Sequence, residues 1–172
     1  MKIAILGYSG CGKSTLARRL GELYGVDVFH FDKVQFLPGW EIRSSEEKQR
    51  ITEEFMDSHD GWVMDGNYSK LSLERRLTEA DRIILMEFNR FACLWRVFRR
   101  FLRYRNTSRP DMTEGCPEKL DAEFVRWVLW EGRSAGARAR LRNIEAQYSA
   151  KVTVLRNQRQ LDAFTEKLHS GA

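Results

Sequence analysis

Eight consecutive residues, Gly7-Tyr8-Ser9-Gly10-Cys11-Gly12-Lys13-Ser14, have the spacing of a loop that cradles a polyphosphate. In Gly-x-x-x-x-Gly-Lys-Ser/Thr the glycines let backbone N–H groups turn inward around an anion. The lysine reaches the β and γ phosphates and the hydroxyl offers an oxygen to Mg²⁺. Gly7, Gly10, Cys11, Gly12, Lys13, Ser14 and the adjoining Thr15 are therefore the expected contacts of ATP, with Lys13 acting on the moving phosphate and Ser14 on the metal. The dinucleotide pattern Gly-x-Gly-x-x-Gly fails, because the glycines stand at 7, 10 and 12.

Such a loop works only between a strand and a helix, and both flanks are present. Lys2-Ile3-Ala4-Ile5-Leu6 reads as a buried strand, and apolar residues recur at helical spacing from Ser14 to Leu20. The helix start adds free N–H groups and partial positive charge to the phosphate site. Four more apolar runs follow, at Val26–Phe31, Trp62–Met64, Ile83–Met86 and Lys151–Leu155. Helices are expected over Ser44–Ser58 with Ser44 or Ser45 as N-cap, Arg90–Arg103, Asp121–Tyr148 and Arg159–His169. Strands alternating with helices predict an α/β chain whose parallel sheet is covered on both faces. Ligands gather at the C-terminal strand edge of such a sheet. The phosphate loop, Asp32, Asp65 and the stretch Glu87 to Arg90 should converge there.

A carboxylate is needed to place Mg²⁺, and Asp65, directly after an apolar strand, takes that role with Ser14. Asp32 has the same placement and is expected to orient the acceptor or take its proton. Arg90, Arg96, Arg99, Arg100, Arg103, Arg105 and Arg109 form the densest positive segment, suited to the charge that spreads over a moving phosphoryl group. On the helix, Leu94, Val97, Phe98 and Phe101 are expected to pack. Arg99 and Arg103 are nucleotide contacts, and Arg105 and Arg109, in an irregular stretch, are lid residues that close over the phosphates. Arg138 and Arg142 are weaker lid partners. Trp40, Gly66, Asn67 and Tyr68 are expected to line an acceptor pocket beside Asp32 and Asp65. Trp127 and Trp130, at i and i+3 on a helix, read as core. His30, His59 and His169 are scattered and receive no catalytic role, nor does Cys11, which lacks a neighbouring base.

At 172 residues the chain suits a single domain spanning 1–172, with a lid at about 103–120. The three cysteines show no metal-ligand spacing and read as reduced thiols. The apolar stretch after Met1 is too short for a signal peptide and no run suits a membrane span, so a soluble cytoplasmic protein with no membrane partner is expected. A net charge of +5 favours anionic ligands without choosing among them. Oligomeric state is not legible.

With the phosphate loop, Asp32, Asp65-Gly66 and the arginine-rich stretch in one short chain, the sequence resembles the adenylate kinase and shikimate kinase group of P-loop kinases. Three stretches are closer still to the adenylate-kinase-related family of DNA topology modulation proteins. They are His30-Phe31-Asp32-Lys33 leading to Pro38-Gly39-Trp40, Trp62-Val63-Met64-Asp65-Gly66-Asn67-Tyr68, and the run from Arg109-Pro110-Asp111 to Glu118-Lys119. The resemblance implies a three-layer nucleoside-monophosphate-kinase-like fold with strand order 2-3-1-4-5, a lid after the fourth strand, and ATP with Mg²⁺. Adenylate kinases have Asp-Gly-Phe-Pro-Arg where this chain has Asp65-Gly66-Asn67-Tyr68-Ser69, which leaves Arg43, Arg75 or Arg76 to meet an acceptor phosphate.

The leading expectation is an ATP-dependent kinase acting on a nucleotide or hydroxylated metabolite. A nucleotide-dependent DNA-binding protein is the second reading, prompted by the basic helix, although no helix-turn-helix or zinc-finger pattern accompanies it. An ATP hydrolase or regulator without an acceptor is the third.

Overall fold

Apolar runs that are buried on both faces need helices on both faces, and the computed structural model of the protein shows that arrangement. It describes residues 1–105 and 107–170. Asn106, Gly171, Ala172 and the side chains of His169 and Ser170 lie outside the described residues. Five strands, β1 (Lys2–Gly7), β2 (Asp27–His30), β3 (Trp62–Asp65), β4 (Arg82–Met86) and β5 (Val152–Leu155), form an all-parallel sheet of order β2-β3-β1-β4-β5. Strand periodicity divides the core in two. Ala4, Leu6, Trp62, Met64, Ile83 and Leu85 face one side, and Ile3, Ile5, Val63, Ile84 and Met86 face the other.

Eight helices accompany the sheet among the described residues: α1 (Lys13–Tyr24), α2 (Phe31–Gln35), α3 (Ser45–Ser58), α4 (Leu73–Glu79), α5 (Arg90–Arg103), α6 (Ala122–Leu129), α7 (Ala135–Gln147) and α8 (Gln158–Ser170). Ser44 caps α3 by accepting from the Glu47 N–H at 3.1 Å, and Asn89 caps α5 by accepting from Phe91 at 2.8 Å. None of the described helices is long and apolar enough to cross a membrane.

The structure corrects the sequence reading in several places. The helix expected over 121–148 is two helices separated by a 3-10 turn at Glu131–Arg133. Arg133 is the cause. Its buried guanidinium bonds the Val128 carbonyl at 3.0 Å and the Phe88 carbonyl at 2.9 Å and lies 3.9 Å from the Tyr8 ring centroid, while Ser134 starts α7 by capping Ala137. Trp127 and Trp130 are not core, being 47% and 58% exposed, because α6 packs through Val128 and Leu129 instead. On α5 the packed positions are Cys93, Leu94 and Val97. Phe98 stands exposed with Phe91, Trp95 and Leu102 on an outward face. Helices α2 and α4, of five and seven residues, carry too few periods to be read from sequence.

The fold fixes the phosphate loop by close approach. At Gly10, φ is +79° and a Cβ would lie 2.7 Å from both the Cys93 carbonyl oxygen and Val97 Cγ2 on α5. Gly10→Ala should therefore force α5 outward and lower stability by about 1–3 kcal/mol. Gly136→Ala, in open space on α7, should be neutral or stabilising. Urea unfolding of the two variants checks the contrast.

Candidate functional site

Strand ends carry the site. Parallel pairing places His30 beside Asp65 in register, and their side chains meet at 2.8 Å, Nδ1 to Oδ1, both buried. Next to them β1 runs into the phosphate loop. Asn67, just after β3, clamps the start of that loop with both ends of its amide: Oδ1 accepts from the Gly7 N–H at 2.9 Å and Nδ2 donates to the Gly7 carbonyl at 2.6 Å. Lys13 folds back over the loop, its Nζ donating to the Gly7 and Tyr8 carbonyls at 3.0 and 3.1 Å. Arg96 of α5 donates to the Cys11 carbonyl and to Gln158 Oε1, and its guanidinium lies 4.4 Å from the Phe88 ring centroid.

A cavity of about 1510 Å³ opens in front of the strand ends. It is larger than the roughly 300–1,000 Å³ of a pocket for one small molecule. Gly10, Gly12, Lys13, Ser14 and Thr15 line it together with Asp32, Trp40, Lys48, Asp65, Gly66, Asn67 and Tyr68, and with Arg99, Arg100 and Arg103 along α5.

The segment after α5 is docked rather than free. Thr113 Oγ1 donates to the Phe36 carbonyl at 2.6 Å, the Gly39 N–H donates to the Gly115 carbonyl at 3.0 Å, and Cys116 Sγ donates to the Leu37 carbonyl at 3.2 Å. Arg109, 7% exposed, donates from Nη2 to Asp32 Oδ2 at 2.7 Å and lies 3.3 Å from Asp111 and 3.8 Å from Glu118. The other Asp32 oxygen accepts from the Tyr68 hydroxyl at 2.8 Å. Burial raises the Tyr68 pKa and Asp32 adds to it, so the phenol stays a neutral donor. Burial also pushes Asp111 upward, but Arg109, then His30 and a hydrogen bond from Ser14, outweigh it and hold the carboxyl below its usual range.

Of the expected residues, Gly10, Gly12, Lys13, Ser14, Thr15, Asp32, Asp65, Gly66, Tyr68, Trp40, Arg99, Arg103 and Arg109 are brought to one cavity. Others are not. Gly7 is off the cavity wall, closing β1 where a Cβ would lie 2.2 Å from the Met86 carbonyl oxygen. Cys11 points into the core, fully buried. Asn67 reaches the cavity, but both ends of its amide are engaged by Gly7. Arg105 is exposed and off the wall, and Arg109 is no free finger, since a buried guanidinium has to keep its carboxylates. Arg140 lines the cavity where Arg138 and Arg142 do not. The arginines left for an acceptor phosphate are occupied. Arg43 bonds Glu47 and the Val34 carbonyl, and Arg75 bonds Glu79 and Asp57. Arg76 is fully buried under Phe31, donating to the Gly66 and Tyr68 carbonyls, with its pKa lowered by burial to about 9.

Sequence reasoning named Arg96 only within the basic segment and missed His30, Asp111 and Trp127, whose indole N–H donates to Ser9 Oγ at 3.2 Å. His30 alone had a readable signal: it ends β2 as Asp65 ends β3, so pairing those strands brings the two together. No family model matches the chain, and no curated protein matches it.

Docking of the segment on α2 has a chemical reporter. Cys11, Cys93 and Cys116 are all buried, and burial raises the Cys11 thiol and pushes Cys93 up to about 11. At pH 8 the native protein should react with a thiol reagent only slowly, and three thiols should appear on unfolding. Arg109→Met should release the segment and expose one of them, Cys116. Labelling of that variant at the native rate would show that docking does not depend on Arg109.

Proposed function

We propose that the chain is an ATP-dependent phosphotransferase that moves the γ phosphate to a small hydroxylated acceptor. On this reading it has a nucleoside-monophosphate-kinase-like P-loop fold, one domain over 1–172 with a lid segment at about 103–120. The observation that carries the reading is that Lys13, Ser14 and Asp32 line one cavity of about 1510 Å³.

Backbone N–H groups from Gly10 to Thr15 and the start of α1 hold the β and γ phosphates. Lys13 exchanges its bonds to the Gly7 and Tyr8 carbonyls for phosphate oxygens, which accept more strongly. Ser14 and Asp65 are oxygen donors of the kind Mg²⁺ takes beside phosphate and water, and His30 orients the Asp65 carboxylate. Mg²⁺ supplies charge neutralisation across the β and γ phosphates when bound. Asp32 accepts the proton of the acceptor hydroxyl as that oxygen bonds to the γ phosphorus and the bond to the β-bridging oxygen breaks, leaving ADP. For this, Asp32 gives up its hydrogen bond from Tyr68 and keeps its contact with Arg109.

The arginines of α5 favour this reading over nucleic-acid binding. Arg96, Arg99, Arg100 and Arg103 line the cavity, while the outward face of α5 carries Phe91, Trp95, Phe98 and Leu102. Phosphate bound by this helix would sit inside the protein.

ATP consumption across nucleosides, nucleoside monophosphates and hydroxylated metabolites, with the product identified by mass, tests the proposal. Lys13→Ala should abolish turnover, Asp32→Ala should lower kcat by about 10²–10⁴, and Asp65→Asn should raise the Mg²⁺ concentration required. Phosphate release that no acceptor diverts would replace the kinase by a hydrolase. Turnover insensitive to Lys13→Ala would overturn both.

A further inference from the structure

Helix α5 has two apolar faces, and the core fills only one of them. Cys93, Leu94 and Val97 pack inward, whereas Phe91, Trp95, Phe98 and Leu102 are 70%, 60%, 39% and 57% exposed on the outward side. These four recur at steps of four, three and four residues. That is the period of the a and d positions in a two-helix seam, where each side chain enters a gap between the side chains of a facing helix. Trp95 and Phe98 already stack, with ring centroids 5.9 Å apart, so the row is continuous at its centre.

Charge and area select what can cover the row. No Asp or Glu occurs on α5, and its arginines are turned toward the cavity: Arg96 holds the Cys11 carbonyl and Gln158, Arg100 holds Glu118, and Arg99 and Arg103 line the wall. An anionic lipid surface or an acidic helix would call for free cations aimed outward beside the apolar stripe. An uncharged stripe is matched by another uncharged stripe, and a second copy of α5 supplies one. Since a whole aromatic side chain offers roughly 150–250 Å², the four leave on the order of 450 Å² of apolar surface in water. Two copies would remove about twice that through the row alone, and Ala92 with the arginine stems at its margin carries the total to the lower end of the roughly 1,200–2,000 Å² of specific interfaces.

We propose that two copies of the chain associate through α5, the helices running antiparallel about a two-fold axis between Trp95 and Phe98. Each Trp95 then packs on Phe98 of the other copy, and each Phe91 on Leu102. The antiparallel sense opposes the two helix dipoles and turns Arg99 of one copy toward Ala92 of the other, so no two arginines stand directly opposite. The arginine margins still run along the same side of the seam, a like-charge cost that salt screens. The proposal is independent of the phosphotransferase reading, because no residue of the row lines the cavity.

Sedimentation equilibrium of the full chain over about 1–300 μM should show a shift from one chain mass to two, as befits an interface of modest area. Raising salt from about 0.1 to 0.5 M should tighten the association, the opposite of what an acidic partner or an anionic surface would give. Trp95→Gln and Phe98→Gln should each weaken it about tenfold or more, with the melting temperature of the dilute monomer within error of the parent because both side chains are exposed. Register is read by cross-linking, since the native cysteines are all buried. Under mild oxidation a mixture of Phe91→Cys and Leu102→Cys chains should form a covalent dimer that neither variant forms by itself. A single chain mass throughout, or a dimer indifferent to both glutamine substitutions, overturns the proposal. Monomers that bind phosphatidylserine vesicles through Trp95 overturn it in favour of a lipid surface, and self-cross-linking of either cysteine variant overturns the antiparallel pairing.

Discussion

A buried guanidinium must be met by carboxylates, and Arg109 imposes that condition on several elements around the cavity. It is 7% exposed, and its partners come from α2, through Asp32, and from its own segment, through Asp111 and Glu118. Two of these partners have a second attachment. Asp32 accepts from Tyr68 after β3, and Glu118 takes Arg100 on α5. One charge therefore ties the docked segment, α2, the β3 loop and α5 into a single electrostatic unit. Burial lowers the Arg109 pKa and its four acidic neighbours more than reverse that, so the charge persists and the carboxylates stay where it needs them.

Helix α5 translates that unit into shape. Cys93 and Val97 press on the core and on Gly10, fixing the loop from behind. Arg96, Arg99, Arg100 and Arg103 recur at helical spacing and so share a face, which the core contacts turn toward the cavity. Arg96 holds the Cys11 carbonyl of the loop and Arg100 holds Glu118 of the docked segment, so the same helix grips both walls. Movement of the segment cannot be independent of the phosphate loop, because each is bonded to the same 14 residues.

What was legible from sequence was what depends on neighbours along the chain. The strands follow from short apolar runs, the phosphate loop from its glycines and lysine, and α5 from its period, all with bounds within a residue or two. The break after α6 was illegible because residues 121–148 are locally consistent with one helix. Only the burial of Arg133 against Phe88 and Tyr8, distant in sequence, divides it. Trp127 and Trp130 obeyed the i, i+3 pattern of a packed face and still lie outward, because the face of α6 that packs carries Val128 and Leu129. His30 and Asp65 stand 35 residues apart and meet only through strand register, and Arg109 read as a mobile lid cation because its carboxylate partners are set by docking.

The remaining constraint concerns the cations of the cavity wall. Lys13 rests on two loop carbonyls and Arg109 on Asp32, so both are satisfied by protein oxygens. On the proposed reading, a phosphate bound at the loop gains only the difference between phosphate and carbonyl as a partner for Lys13.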